Sequence, residues 1–348
     1  MTTVPELMVA DFPLRVMLSG FAKPGTLFVT DPHNAATVRA FGPTVVVVDP
    51  YAPLIEKIIQ THTFTQVVAV GGCTALDVGR ACAIYCKKLV VMPTVLSTAA
   101  FSSNRSIINH NGVYKSEQTL APEDVYISLP ALTATPAAEL QKWTTAGLAD
   151  LFSHLTAAIE FEYARHNNNL RQVHPRLVAA HIPHVVELVT WVNTQFIRFD
   201  KPALQRVAEA LHLAGADVVR NGHTRLSEAS AQKLALALRQ QYRYPKNTVP
   251  HGMLVGFGTL LMARIFAEEA GYDGFYTNLR MAMGNLGLPL SYEALAKSGV
   301  YKTHIMNAIV AQRGTPSLLR DYFLTHNFDI LDRVFTAITP AQSMARTA

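Results

Sequence analysis

Along the first third of the chain, short runs of apolar residues alternate with stretches that carry the three-to-four-residue spacing of a helix. The runs are LFVTD (27–31), VVVVD (45–49), VVAV (67–70) and LVVMPT (89–94), separated by AATVRAF, PLIEKIIQTHT and CTALDVGRACAIY. Strands this apolar offer no polar face to water, so the pattern predicts a parallel sheet covered by helices on both sides, a doubly wound arrangement. From about residue 137 the spacing becomes helical throughout, with segments near 137–165, 175–194, 202–217, 227–242 and 252–270, and no strand signal follows. The expected fold is an α/β N-terminal domain over 1–136, with a doubly wound parallel sheet, and an all-helical C-terminal domain over 137–348. A cleft between the two is the default place for a site.

Length and composition agree with two cores: 348 residues exceed the size at which one core stops growing, and 49% of them are hydrophobic. No uncharged apolar stretch reaches the roughly 18 residues of a membrane span, and the start MTTVPELMVADFPLR lacks the layout of a signal peptide. A cytoplasmic protein with no membrane partner is expected. The net charge of +5 comes from scattered Lys and Arg, so no nucleic-acid footprint emerges. Cys73, Cys82 and Cys86 have no further Cys or His at zinc-site spacing and read as free thiols.

In open α/β sheets, ligands bind beyond the carboxyl ends of the strands. Three of those ends carry Asp31, Gly71-Gly72 and Pro93-Thr94. In VVAVGGCTALDVGRACAIY a strand runs into two glycines and then an amphipathic helix, and Thr74 with Asp77 has the spacing of a capping box. Glycine admits close approach to the backbone and a helix N-terminus favours an anion, so a diphosphate is the expected occupant; a bare strand-to-helix turn is the alternative.

Two further segments have the residue types of a metal site. TTAGLADLFSHLTAAIEF sets Asp150 and His154 four apart, on one face of a helix, where both can reach one divalent cation. His251 follows a Pro-containing loop at the start of a long apolar helix. Asn104, Arg105 and Lys115, with His223 and Arg225, would suit a substrate bearing phosphate, phosphonate or carboxylate, or are ordinary solvated loop residues.

Taken in order, these motifs resemble the superfamily of iron-containing alcohol dehydrogenases and dehydroquinate synthases. GGCTALD resembles its diphosphate-binding GGGS-x-x-D, MPTVLSTAAFSSNRS its PT-x-x-ST stretch, and GLAD and VPHG its two metal-ligand segments. VPHGMLVGFGTLLMA looks nearest to the glycerol and glycerol-1-phosphate dehydrogenase branch. The resemblance implies that 1–136 binds a dinucleotide and that 137–348 carries the metal and the substrate. It implies that Gly71, Gly72, Thr74 and Asp77 meet the diphosphate and that Thr94, Ser97 and Thr98 lead to the nicotinamide. It implies too that Asp31 favours NAD over NADP, NADP being the second choice.

Zn²⁺ or Fe²⁺ would be held by Asp150 and His251, with Gln232 standing where relatives carry a third His ligand and His154 as a compensating ligand. The implied chemistry is hydride transfer between an alcohol or polyol and its carbonyl, with His154 or His223 as proton shuttle. Cys73 replaces the third glycine, and Ala99 stands where glycerol dehydrogenases have a substrate-contacting Asp, which argues against free glycerol. The resemblance also implies a homo-oligomer. Two other readings stay open: a dehydroquinate synthase-like cyclase that uses NAD transiently, and a nucleotide-binding relative that has lost catalysis.

Overall fold

The computed structural model describes residues 4–166, 181–195, 198–221, 229–242, 249–311, 319, 322–323 and 329–335. In chain order these form β1 (Glu6–Ala10), α1 (Leu14–Ser19), β2 (Thr26–Thr30), α2 (Ala35–Val38), β3 (Thr44–Val46), α3 (Ala52–Thr61), β4 (Gln66–Gly71), α4 (Cys73–Ala83) and β5 (Leu89–Pro93). A short 3₁₀ turn (Ala99–Ser102) leads to β6 (Arg105–His110), β7 (Val113–Gln118), β8 (Asp124–Ser128) and α5 (Leu129–Thr133). Helices follow: α6 (Ala137–His166), α7 (Ile182–Thr194), α8 (Lys201–Asn221), α9 (Ser230–Tyr242), α10 (His251–Ala270), α11 (Asp273–Asn285), α12 (Tyr292–Lys297), α13 (Lys302–Ala311) and a last described helix, Asp329–Phe335.

Six strands form one sheet in the order β1-β8-β5-β4-β2-β3, every pairing parallel. The central strands are the ones that the apolar runs announced: Val67, Val68, Ala69 and Val70 of β4 are fully buried, as are Phe28 and Val29 of β2 and Val91 of β5. The run VVVVD supplies a parallel strand as expected, but a short one at the edge of the sheet. Thr44–Val46 pair with β2 and the Val47 N–H adds a bond to the Thr30 carbonyl at 2.8 Å, but Val48 turns out, 78% exposed. An edge strand has a partner on one side only, so four valines do not by themselves commit the segment to the interior. Among the described residues after 137 every regular element is a helix, and no helix is long and apolar enough to cross a membrane.

Two compact units emerge. The first comprises Met1–Leu151, His174–His184 and Arg198–Thr224; the second comprises Phe152–Val173, Val185–Ile197 and Arg225–Ala348. Strands give way to helices at residue 137, yet the first unit takes in α8 and the first half of α6 as well as the sheet. In that unit α4 lies against β4 at Gly79, where a Cβ would fall 2.4 Å from the Cβ of Ala69. This close helix–strand approach is the role of the last glycine in a dinucleotide-binding turn.

Gly79 therefore tests packing against propensity. Alanine at an exposed helical glycine gains up to about 1 kcal/mol, and Gly274, with nothing within 4 Å of its Cβ position, is such a site. Gly79→Ala is expected to lose about 1–3 kcal/mol through overpacking while Gly274→Ala is neutral or stabilising, both read from urea denaturation. Equal effects at the two positions would contradict the packing described.

Candidate functional site

β2 and β4 are neighbours in the sheet, but the chain leaves β2 for β3 on one side and β4 for β5 on the other. Such a reversal opens a crevice beyond the carboxyl ends of the strands. Asp31 crosses it. Its Oδ2 accepts from the N–H of Gly72 at 2.9 Å, and its Oδ1 accepts from the N–H and the side-chain amide of Asn34, each at 3.0 Å. The Asn34 amide also donates to Thr94 Oγ1 at 3.2 Å, and the Thr94 N–H donates to the Gly71 carbonyl at 3.1 Å. Gly71 has φ +135°, and a Cβ there would lie 2.2 Å from Asp31 Oδ2, so both conformation and space require glycine. Asn34 was missed in the sequence, although an Asp three residues before an Asn, with proline between, is a turn signal.

The start of α4 differs from the capping box expected of Thr74 and Asp77. Gly72 is the N-cap, in extended conformation, and no side chain caps the helix. Helix begins at Cys73, so Thr74 already lies inside the first turn and Asp77 is one turn further in. No acidic residue occupies the first turn, which leaves the positive end of the helix suited to an anion. Asp77 is buried instead, with Oδ1 2.8 Å from Nη2 of Arg80. Arg80, 1% exposed, also donates to the Ala100 carbonyl at 2.6 Å and to Ser106 Oγ at 3.2 Å.

The segment held by Arg80 is the one expected to lead to the nicotinamide. Ser97 Oγ lies 3.3 Å from Cys73 Sγ. Thr98 Oγ1 donates to Asp150 Oδ2 at 2.8 Å and accepts from the Ala100 N–H, while the Ala99 N–H reaches the same Asp150 oxygen at 3.4 Å. Two helical glycines let this segment in: a Cβ at Gly147 of α6 would lie 2.1 Å from the Leu96 carbonyl oxygen, and one at Gly215 of α8 2.3 Å from that of Ala99. The glycine of GLAD thus serves backbone approach. Beyond it, Ser102 Oγ bonds His212 Nδ1 at 2.8 Å, and His181 Nδ1 meets Asp217 Oδ2 at 2.7 Å. Burial opposes charge on Asp217, but its bond to His181, with Arg220 nearby, holds it below the ordinary carboxylate value.

In the second unit, Gln232 of α9 meets His251, the first residue of α10. Gln232 Oε1 is 3.0 Å from His251 Nε2, and Gln232 Nε2 donates to Ser153 Oγ at 3.2 Å. His154 is buried on α6, one turn beyond Asp150, which is buried as well. Zinc and iron centres take carboxylate, imidazole or thiolate ligands. Asp150, His154 and His251 are of those types; the neutral amide oxygen of Gln232 is the weak member. Among the described residues no group of three or more His, Cys, Asp or Glu side chains gathers around a potential ion position. His223 and Arg225 lie outside the described residues.

The structure places the three expected substrate contacts on or beside one hairpin. Asn104 is buried just before β6, and its carbonyl accepts from the Thr119 N–H. Arg105 donates to the hydroxyl and carbonyl of Ser116, each at 3.3 Å, bracing β6 against β7, and Lys115 is exposed on β7.

No family model matches the chain. Among curated proteins it is similar to glycerol-1-phosphate dehydrogenase [NAD(P)+] of Methanosarcina mazei, 25% identical over 259 residues, which span 74% of this chain and 67% of that one. The enzyme of that name from Bacillus subtilis is 23% identical over 73% of this chain and 64% of its own length. Of the solved structures, a probable glycerol dehydrogenase from Sinorhizobium meliloti covers 96% of this chain and 98% of its own, with TM-score 0.71 and 17% identity. An iron-containing alcohol dehydrogenase from Corynebacterium glutamicum covers 96% of each chain, with TM-score 0.67 and 14% identity. At these identities the structural likeness is one of fold.

His212 gives the first unit a pH dependence. Burial, aided by Arg220, holds its pKa below the ordinary histidine value. The folded state therefore binds a proton less readily than the unfolded chain. Its share of stability is complete above about pH 6.5 and is lost as pH falls from there through the lowered folded value. Urea denaturation between pH 8 and pH 5 is expected to show that decline, and His212→Asn to flatten it. An unchanged slope in the variant would exclude His212 as the source.

Proposed function

We propose that this chain, a member of the superfamily of iron-containing alcohol dehydrogenases and dehydroquinate synthases, is an NAD(P)-dependent oxidoreductase. In this reading it interconverts an alcohol or polyol, phosphorylated or otherwise anionic, with its carbonyl by hydride transfer. The observation that carries the reading is the switch point itself: a glycine pair opening α4, Asp31 across from it, and the Thr94–Ala99 segment running from there to Asp150.

Gly71 and Gly72 admit the cofactor diphosphate to the backbone, and the uncapped start of α4 supplies the positive dipole end. Thr94, Ser97 and Thr98 would flank the path to the nicotinamide, which when bound would supply the hydride acceptor or donor. Asp31 keeps lone pairs beyond the three hydrogen bonds that it already accepts; these suit ribose hydroxyls, and its charge repels a 2′-phosphate, which favours NAD. The resemblance offers Asp150, His154 and His251 to Zn²⁺ or Fe²⁺, with Gln232 beside His251, although among the described residues they do not gather around one ion position. The ion, when bound, supplies a Lewis acid for the reacting oxygen. Thr98 orients the Asp150 carboxylate, and His154 or His223 carries the proton between the site and water. Asn104, Arg105 and Lys115 attract the anionic end of the substrate. We also infer a cytoplasmic homo-oligomer: Met8, Phe12 and Val16, exposed in and just after the edge strand β1, give a second copy an apolar surface.

Two measurements test the reading. Mixed with NADH and a phosphorylated three-carbon ketone, the chain is expected to consume NADH stoichiometrically; failure to bind either NADH or NADPH would refute it. Asp31→Asn, which removes a charge-assisted interaction worth about 1.5–3 kcal/mol, is expected to reduce the preference for NADH over NADPH about 10-fold or more. An unchanged ratio of kcat/KM for the two cofactors would remove Asp31 from that role.

A further inference from the structure

We propose that Gln232 holds His251 in a closed hydrogen bond and thereby keeps the affinity of the chain for Zn²⁺ and Fe²⁺ low, so that any ion bound there is exchangeable. The inference rests on the ligand assignment proposed above.

The Gln232 amide is engaged at both ends, by His251 Nε2 at 3.0 Å and by Ser153 Oγ at 3.2 Å. Either orientation of the amide occupies the same imidazole nitrogen. With Oε1 toward the ring, Nε2 of His251 carries the proton and donates. With the amide turned over, Nε2 of His251 accepts from the NH₂ group while the Ser153 hydroxyl donates to the carbonyl. In both arrangements the nitrogen facing Gln232 has no lone pair to spare for an ion.

Helix packing enforces the meeting. A Cβ at Gly258 of α10 would lie 2.7 Å from the Cα of Ala231, the residue before Gln232, so α9 and α10 run nearly backbone to backbone at that point. Gln232 is 8% exposed and Ser153 is fully buried. An ion binding at this nitrogen must break the bond to Gln232, displace an amide that has little room to turn, and accept in exchange only a neutral oxygen, a poor donor for Zn²⁺ or Fe²⁺. A histidine in place of Gln232 would instead offer a second imidazole.

The full chain is to be loaded with Zn²⁺, freed of excess, and assayed for retained metal by mass spectrometry and for affinity by competition with a chromogenic chelator. Wild type is compared with Gln232→His and Gln232→Ala. The wild type is expected to retain far less than one equivalent. Gln232→His should retain a full equivalent and bind Zn²⁺ about 10- to 100-fold more tightly or better, and Gln232→Ala, which removes the Gln232 bond to His251 without adding a ligand, more tightly by a smaller factor. Should the His variant fail to fold, judged by circular dichroism, the Ala variant carries the test alone. A wild type that keeps a full equivalent against the chelator would overturn the proposal, as would folded variants that bind no more tightly. NADH binding, measured on the same samples, separates the two readings: its absence removes the proposed function, while the Zn²⁺ comparison still decides the role of Gln232.

Discussion

The Asp31 carboxylate accepts three hydrogen bonds across the switch point of the sheet, and the geometry of the β4–α4 turn depends on it. Parallel strands end with backbone groups that the ladder no longer satisfies, and three such ends meet here. Asp31 takes the Gly72 N–H at the very start of α4, Asn34 extends the link to Thr94, and the Thr94 N–H closes it on Gly71. The carboxylate fills the volume that a side chain at residue 71 would need, so the glycine follows from the acid as much as from the turn. A negative charge so near a helix N-terminus is itself favourable by about 0.3–1 kcal/mol. The loop is therefore organised in advance by a side chain from a neighbouring strand end.

Behind that loop lies a buried guanidinium. Moving Arg80 out of water costs several kcal/mol, and the cost is offset only where charge and donors are matched. Asp77 matches the charge, and the Ala100 carbonyl and Ser106 hydroxyl take the remaining described donors. The consequence is positional: the 94–103 segment is pinned from one side by Arg80 and admitted from the other by Gly147 and Gly215. Thr98 can then hand its hydroxyl to Asp150 at 2.8 Å. Removing Asp77 alone would leave an uncompensated buried charge, so its structural duty is as strict as any ligand-binding one.

The central strands were legible because burial on both faces leaves a continuous apolar run, which no solvated element needs. β1 and β8 escaped notice: ELMVA and DVYIS mix apolar and polar residues, and they pair with each other across more than a hundred residues of chain. The β6–β7 hairpin did leave a signal that went unread. Asn111-Gly112 joins the strands with φ +54° and +91°, the two-residue turn that an Asn-Gly pair favours. At the candidate site, the glycine pair, Asp31 and Thr98 were visible as residue types at strand ends. Asn34 and Arg80 were not, because their partners come from elements 60 and 20 residues away. Local spacing misassigned Asp77, since a Thr-x-x-Asp pattern reads as a cap whether or not the helix begins two residues earlier.

Asp150 and His251, the two residues proposed as ion ligands, are oriented by unrelated means. Asp150 takes its direction from the Thr98 hydroxyl and the Ala99 N–H, part of the same segment that would flank a nicotinamide. Any change in that segment reaches the acid directly. His251 takes its direction from a side chain on a packed helix, fixed where Gly258 lets α9 approach α10. Its hydrogen bond shares no residue with the Asp31 network or with Arg80. A substitution at Gln232 therefore alters the contacts of α9 with α10 and α6 and leaves the β4–α4 turn as it was, whereas a substitution at Thr98 disturbs Asp150 and the 94–99 segment together. In the proposed reading, nucleotide binding and ion binding would thus be separable at Gln232 and linked at Thr98.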